Sequence, residues 1–287
     1  MANIEKKILK QEMTLFDKVI TKIERSTSTV DELRIAMWAP IEKISKASTT
    51  YKDFIANKNV RKIKTSWGEV EVRIRLLTQT HKDIFDGIFT CRKNEKHLED
   101  GRVAMYFSLY QLQQLLGIEP GKNNKWLKQK IEEIADARIK YVSSTGDEFS
   151  FGIFAEVAYS EVESSYGVIF SNLYLQYFTN SLTINYGEYV SDIASINDAL
   201  IKAIIKFFLT HDARNYPFRI SFNELIKSVG YPTDSPNQIK QARASINKNR
   251  QKLEEYCIYY DKQSSLFEYH GKENIQFTKP LKLEYSK

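Results

Sequence analysis

The 287-residue sequence is poor in the residues that build metal, disulfide and membrane structures. Its two cysteines, Cys91 and Cys257, are too far apart for a CxxC motif, and its four histidines form no HxH or HExxH pattern. These absences argue against a zinc site, so both cysteines are expected to be small buried hydrophobic residues. No apolar run approaches the ~18 residues of a membrane span, and no signal-peptide block is present. We expect a cytoplasmic protein without cofactor, metal or membrane contact.

Acidic residues are missing from two segments of a chain that contains 36 of them. Residues 122–130 carry four lysines and no acid, and residues 237–252 carry five basic residues and no acid. The formal net charge is +6, which alone is a weak indication of a polyanionic partner. The local concentration of positive charge is the stronger indication. A hydrophobic content of 42% and the length favour two domains with sizeable cores.

Two stretches of the sequence repeat each other without gaps. SLYQLQQLLG at Ser108–Gly117 and SFNELIKSVG at Ser221–Gly230 each predict a short helix with a serine N-cap and a terminating glycine. In both copies an earlier helix and a short strand precede this helix. A polar turn, an amphipathic helix and two strands joined by a tight turn follow it. This order is that of a winged helix-turn-helix, in which the helix after the turn enters DNA.

The predicted fold class is therefore α+β, with two tandem winged helix-turn-helix domains and an N-terminal helical and hairpin extension. The extension covers residues 1–70, with a helix over residues 5–25 and the start of a hairpin that turns at Trp67 and Gly68. The first domain covers residues 71–180 and the second residues 181–287.

The stretch GIEPGKNNKW, residues 117–126, looks at first like a phosphate-binding loop. Only three residues separate Gly117 from Gly121, and Asn123 stands where a Walker A motif has Ser or Thr after its lysine. The stretch is therefore interpreted as a turn. No other catalytic arrangement is found, and Asp83 and Asp86, on one helix face with Lys82 beside them, are expected to be solvated. We expect that the protein is not an enzyme.

The helix of the second copy, here called the second recognition helix, has a basic face opposite an apolar stripe. The apolar residues are Ile239, Ala242, Ile246 and Leu253. Lysine and arginine can pair with guanine, Gln and Asn with adenine, and a small residue permits close approach to a thymine methyl. The alternative is a face that is only solvated. The expected DNA-contacting residues are Asn237, Lys240, Gln241, Arg243, Ala244, Asn247, Lys248, Arg250 and Gln251.

The helix of the first copy, the first recognition helix, is basic only in its first turns. Its expected phosphate contacts are Lys122, Asn124, Lys125, Lys128 and Gln129. Acidic residues expected on its outward side farther along are Glu132, Glu133 and Asp136. We therefore expect the second copy to supply most of the base recognition. The wing residues Ser144, Thr145, Lys262 and Gln263 suit phosphate contact and equally suit any hairpin turn.

These patterns resemble plasmid replication initiators that bind iterons, the direct repeats of an origin. The likeness lies in LLTQTHKDIFDGIFT, SLYQLQQLLGI, SFNELIKSVGY and ASINKNRQKLEEYCIYY, and covers roughly residues 71–272. The resemblance implies a non-enzymatic protein that binds double-stranded DNA and recruits the host initiator and replicative helicase. It also implies a homodimer through the first winged helix, for which Phe149–Ser160 and the following YGVIF are candidate edge strands. The alternative is a winged-helix transcriptional regulator or repressor.

Overall fold

The structure is a computed structural model that describes residues 26–65, 68–143, 148–160 and 165–279. The predicted helix over residues 5–25 and the predicted turn residue Trp67 lie outside these ranges. The α-helices are α1 Val30–Arg34, α2 Thr49–Ala56, α3 Gln79–Cys91, α4 Leu109–Leu115, α5 Asn124–Asp136, α6 Asn172–Asn180, α7 Val190–Ala194, α8 Ala199–Leu209, α9 Phe222–Ser228, α10 Pro236–Lys248 and α11 Arg250–Glu255. The strands are β1 Ser28–Thr29, β2 Val60–Thr65, β3 Gly68–Arg73, β4 Arg92–His97, β5 Val103–Phe107, β6 Arg138–Ser143, β7 Glu148–Gly152, β8 Phe154–Ser160, β9 Ser165–Phe170, β10 Thr183–Asn185, β11 Phe218–Ser221, β12 Ile258–Asp261, β13 Leu266–Tyr269 and β14 Gln276–Thr278.

The N-terminal half contains two four-stranded antiparallel sheets around one apolar core. Their strand orders are β2-β3-β6-β7 and β4-β5-β9-β8. The predicted hairpin is present, with Val60 opposite Arg73, and its second strand also pairs with β6. Helix α3 contributes Phe85 and Phe89 to the core, and α5 contributes Ile131. The hairpin is therefore part of a sheet that the first recognition helix, α5, leads into.

The predicted strand over residues 148–160 is divided in the structure. Strand β7 ends at Gly152 and pairs with β6, whereas β8 begins at Phe154 and pairs with β9 in the other sheet. Strand β9, which contains YGVIF, lies between β5 and β8. The expectation that YGVIF offers a free edge is therefore wrong, because both of its sides are hydrogen-bonded. Of the two candidate edge segments, β8 lies at the border of its sheet.

The C-terminal half is built around α8, whose apolar sequence is buried along its whole length. The three-stranded sheet β11-β13-β12 and the helices α9 and α10 surround it, in the element order that the repeat predicts. A second small sheet, β1-β10-β14, brings residues 28 and 29 against this half. The domain boundaries at residues 70 and 180 stay predictions. Within the described residues no helix is long and apolar enough to cross a bilayer.

A buried layer of charged side chains joins α3 to α8. Asp83 accepts hydrogen bonds from Lys202 at 2.7 Å and from Lys206 at 2.6 Å. Lys82 lies 2.6 Å from Asp86 and donates to the Ser28 hydroxyl. The expectation that Asp83 and Asp86 are solvated is therefore wrong. A helical pattern shows which side chains share a face, but it does not show that a distant helix brings lysines to that face.

This polar layer continues into helix α1 and the tyrosines behind it. Glu32 is 1% exposed and accepts hydrogen bonds from the hydroxyls of Ser28 and Tyr174. Tyr186 donates to Asp86 at 2.8 Å. Burial raises the pKa of Glu32, an effect that the neighbouring Lys82 ammonium opposes. Burying a charge costs free energy unless the charge is paired and hydrogen-bonded. Separating the two halves would break these ion pairs and hydrogen bonds, so the buried layer holds the halves together.

Candidate nucleic-acid interface

The helix-turn-helix of the C-terminal half is fixed by local signals at each end. Ser221 and Glu224 form a capping box at the start of α9, and Gly230, with φ +69°, ends the following turn. Ser235 and Gln238 form a second capping box at the start of α10, and Pro236 occupies the first helical turn. The glycine and the two boxes determine where the second recognition helix begins.

Helix α10 presents a polar face without acidic residues. Its buried residues are Ala242 and Ile246, as the apolar stripe predicted, while Ile239 is half-buried. A helix carrying only basic, amide and small side chains on its exposed side offers no carboxylate to repel phosphate. The predicted residues of α10 that are exposed are Asn237, Lys240, Gln241, Ala244, Asn247 and Lys248.

Arg243 differs from its neighbours because it is only half-exposed and already has partners. Its guanidinium donates to the Tyr260 hydroxyl at 2.9 Å and to the Ser265 hydroxyl at 3.3 Å. It also lies over the Phe222 ring, with its central carbon 4.1 Å from the ring centre. Arg243 therefore connects the second recognition helix to the wing strands, which fixes the direction of its side chain.

The prediction of one continuous helix through residue 253 is wrong, because α10 ends at Lys248 and α11 begins at Arg250. Asn249 and Ser245 both donate to the carboxylate of Asp198, at 3.2 Å and 2.6 Å. This contact is made at the break and ties α10 to the start of α8. Arg250, now on α11, lies 2.8 Å from Glu254, and Gln251 beside it is exposed.

The wing of the C-terminal half is a tight turn built around Asp261. The backbone N–H groups of Gln263 and Ser264 donate to its carboxylate at 3.0 Å and 3.1 Å. The Ser264 hydroxyl and these N–H groups lower the pKa of Asp261. Lys262 and Gln263 are exposed at the tip. The predicted wing residues of the first copy, Ser144 and Thr145, lie outside the described residues.

The first recognition helix has fewer basic groups available. Lys122 lies 2.6 Å from Glu119, and the Lys128 ammonium lies 3.4 Å from the centre of the Tyr159 ring on β8. Gln129 donates to Glu133 at 3.1 Å. The predicted residues that remain exposed with neither an ion pair nor a side-chain hydrogen bond among the described residues are Asn124 and Lys125.

Glu133 does not lie on the outward side of α5, as predicted, but faces α3. Its carboxylate is 2.8 Å from His81 Nε2 and 2.7 Å from the Lys130 ammonium. Burial opposes ionisation, but the hydrogen bonds from His81 and Lys130 prevail and lower the pKa of Glu133 to about 2. Burial lowers the pKa of His81, against the effect of Glu133. This contact fixes α5 on α3 and leaves Glu132 and Asp136 exposed.

The sequence reading missed a third basic segment, residues 41–65, which contains seven basic and two acidic residues. Arg61 donates to the carbonyls of Ala36 and Met37 and packs over the turn at Gly230. The other two segments were recognised because they contain no acidic residue. This segment contains two, Glu42 and Asp53, so the same criterion does not select it. The exposed lysines of this segment are Lys43, Lys46, Lys52, Lys58, Lys62 and Lys64.

No group of three or more His, Cys, Asp or Glu side chains within the described residues is arranged to hold a metal ion. Cys91 and Cys257 are half-buried rather than fully buried. Burial raises the pKa of the Cys91 thiol to about 12, which disfavours its thiolate form. The exposed face of α10 carries lysine, amide and small side chains without a carboxylate, which suits recognition of a polyanion.

Comparison with known proteins gives a family match. Residues 62–195 match the family model described as "Rep3_N: Initiator Replication protein, WH1". None of the curated proteins matches the sequence.

Two solved structures align with this chain. A crystal structure of domain 2 and domain 3 of RctB aligns with a TM-score of 0.54 and 10% identity, over 83% of this chain and 96% of that one. A crystal structure of RctB domains 2-3, RctB-155-483, aligns with a TM-score of 0.47 and 8% identity, over 77% and 91%. The first extends the likeness in fold, and in fold alone, over most of the chain. The match of residues 62–195 to the WH1 model of initiator replication proteins confirms the resemblance of this chain to replication initiators.

Proposed function

We propose that the protein binds double-stranded DNA at the iterons of a plasmid origin through two tandem winged helices, and that it starts replication there without a catalytic step of its own. The observation that carries the proposal is the exposed, acid-free face of α10, held against its wing by Arg243. The family match of residues 62–195 supports the role in initiation. Host initiator and helicase recruitment is proposed on the family resemblance alone.

The proposal is tested by footprinting the full-length protein on the DNA that flanks its gene. We expect protection of short direct repeats spaced by about two helical turns, that is about 21 base pairs. Binding should weaken with salt at a log–log slope of about −0.9 for each phosphate neutralised. A flat salt profile contradicts DNA binding altogether. Protection of only a palindrome that overlaps the promoter favours a transcriptional regulator instead.

The ranking of the two recognition helices is tested with single alanine variants. Lys240→Ala removes an exposed group from α10 and no contact within the described fold, so it should weaken specific binding by about fivefold or more, the loss of roughly 1–3 kcal/mol of a base contact. Arg243→Ala also removes the contacts to Tyr260 and Phe222, and is therefore a less direct test. Lys125→Ala is the matched variant in α5, and a larger loss there reverses the ranking.

A homodimer through the first half is part of the proposal. Strand β8 lies at the border of its sheet and exposes Tyr159, so one of its sides has no neighbouring strand among the described residues and carries an aromatic side chain. Light scattering over a range of concentrations, with and without DNA, tests this part. A monomer under both conditions removes it and leaves the DNA-binding proposal intact. Nicking of supercoiled plasmid by the purified protein would contradict the non-enzymatic part.

A further inference from the structure

The basic segment of residues 41–65 lies directly beside the second recognition helix. Gln238, in the first turn of α10, donates to the Thr49 hydroxyl at the start of α2, at 3.2 Å. Arg61 on β2 packs so closely over Gly230 that a Cβ there would lie 2.6 Å from its guanidinium. The segment is therefore held at two points to the turn that leads into α10.

This segment and the wing contact opposite ends of α9. The N–H group of Phe222, at the start of α9, donates to the Ser265 carbonyl of the wing turn at 2.9 Å. Gly230, just after the end of α9, contacts Arg61. A seven-residue helix is about 10 Å long, which is close to the width of the DNA major groove, about 12 Å. The wing and the basic segment therefore contact α9 at points about 10 Å apart, a separation close to the width of the major groove.

The lysines of this segment are available to an external anion. Lys52 is one helical turn after Thr49 and shares its face of α2, and Lys62 and Lys64 share one face of β2. Lys62 is held by Glu69 and Glu71, at 3.4 Å and 3.1 Å. The exposed lysines of the segment that make no ion pair with any described residue are Lys43, Lys46, Lys52, Lys58 and Lys64.

A groove of about 370 Å³ runs between β2 and the turn at residues 230–234. Four basic side chains, those of Arg61, Lys62, Lys64 and Lys227, line it, together with the two acids Asp53 and Asp234. The basic groups outnumber the acids and lie on two elements, with three along β2 and one, Lys227, on α9. Such a row fits a chain of regularly spaced negative charges better than a single small anion.

We infer that the α2–β2 segment is an additional DNA contact, which holds the phosphate strand that flanks the N-terminal end of α10, opposite the strand held by the wing. This inference rests on the proposed function, since it names a second part of the same DNA-binding site. The partner is duplex DNA because the segment is continuous with the recognition helix through the Thr49–Gln238 contact. An acidic protein is the alternative that the experiment distinguishes.

The test compares two double variants of the full-length protein on the DNA fragment that the wild type protects. The first is Lys52→Gln with Lys64→Gln, which removes two exposed lysines of the α2–β2 segment. The control is Lys93→Gln with Lys96→Gln, two exposed lysines of β4 that also make no ion pair with described residues. Both variants lower the net charge equally, so long-range attraction changes by a similar amount. Circular dichroism and the unfolding midpoint check that both fold.

For the first variant, we expect the slope of log affinity against log salt concentration to become shallower by up to about 1.8, since each of two lost phosphate contacts contributes about 0.9. The control should keep the wild-type slope. The hydroxyl-radical footprint should lose protection only at the outer side of the site. Equal slopes for the two variants overturn the inference and leave DNA binding itself standing. If the two slopes are equal and the first variant binds poly-glutamate more weakly than the control does, the surface binds an acidic protein instead of DNA. A wild-type protein that fails to bind duplex DNA overturns both the inference and the proposed function.

Discussion

Replacing Asp83 by alanine should be among the most destabilising changes in the buried layer between α3 and α8. Its side chain is 8% exposed, and each of its carboxylate oxygens lies within 2.7 Å of one lysine ammonium, that of Lys202 or Lys206. In the Asp83→Ala protein both ammonium groups stay buried and lose their shared carboxylate. An unpaired buried charge costs free energy that an exposed one does not.

The size of the effect follows from the partners that remain. Removing one partner of a buried ion pair costs about 3–5 kcal/mol. Lys202 keeps Glu42 at 3.0 Å, and Lys206 keeps Asp86 at 3.5 Å and Gln79 at 3.3 Å. We therefore expect the lower end of that range, about 3 kcal/mol, which corresponds to a melting temperature lower by roughly 6–12 °C.

The measurement is urea unfolding followed by circular dichroism, with Asp212→Ala as the control. Asp212 pairs with Arg214 at 2.7 Å, but both side chains are at least half-exposed, so its loss should cost less than about 1 kcal/mol. A triple variant, Asp83→Leu with Lys202→Met and Lys206→Met, should recover much of the lost stability, because it removes the charges together. If Asp83→Ala is no less stable than Asp212→Ala, the layer does not hold the two halves together as described.

Two further predictions concern backbone and pH. Gly230→Ala should lower the free energy of unfolding more than Gly117→Ala does. Both glycines have positive φ, +69° and +66°, so alanine carries a similar backbone penalty of about 1–2 kcal/mol at each position, but only at Gly230 would the new Cβ meet Arg61. Equal free energies of unfolding for the two variants would contradict the packing of β2 on the turn. Burial lowers the pKa of His211 to about 4 from 6.5, so the unfolded state binds more protons between these values and stability is lost as pH falls through them. His211→Phe keeps an aromatic ring against Phe218 but removes the titrating group. Between pH 4 and pH 6.5 the free energy of unfolding should therefore depend less steeply on pH, by up to about 1.4 kcal/mol per pH unit. An unchanged slope would contradict the lowered pKa of His211.

The helix-turn-helix elements could be predicted from the sequence because their signals are local. Ser221 and Ser235 each lie three residues before the Glu or Gln that completes a capping box. Gly117 and Gly230 both adopt positive φ at the end of a short helix, as the repeat predicted. Such signals depend on a few neighbouring residues, so they can be recognised in the sequence before the rest of the fold is known.

Strand pairing could not be predicted in the same way. The alternation of β7 is interrupted after Gly152 by the apolar residues Ile153, Phe154 and Ala155, but this interruption does not show that the chain changes sheets there. The change is determined by the pairing of β8 with β9 and of β7 with β6, which are contacts between separate segments. Pairing depends on which strand is adjacent in space, and the period of a single strand carries no such information.

The buried charges are the clearest case of information held by two distant segments. Asp83 and Lys202 are 119 residues apart in sequence. A signal was present in α8, where Lys202 and Lys206 stand four residues apart on one side of the helix ALIKAIIKFFL. Two lysines on one face of an otherwise apolar helix need buried acids opposite them, and Asp83 and Asp86 lie three residues apart on α3.

These polar contacts also determine how the two recognition helices are placed relative to each other. Helix α5 is fixed on α3 through Glu133 and His81, α3 is fixed on α8 through Asp83, and the start of α8 is fixed on α10 through Asp198 and Ser245. Each of these contacts is directional, and losing one leaves a buried or half-buried polar group unpaired, whereas apolar surfaces can slide at little cost. A duplex that meets both helices would therefore meet them at one fixed spacing. Loosening the layer at Asp83 should consequently weaken binding to a site that needs both helices more than binding to a site that needs α10 alone.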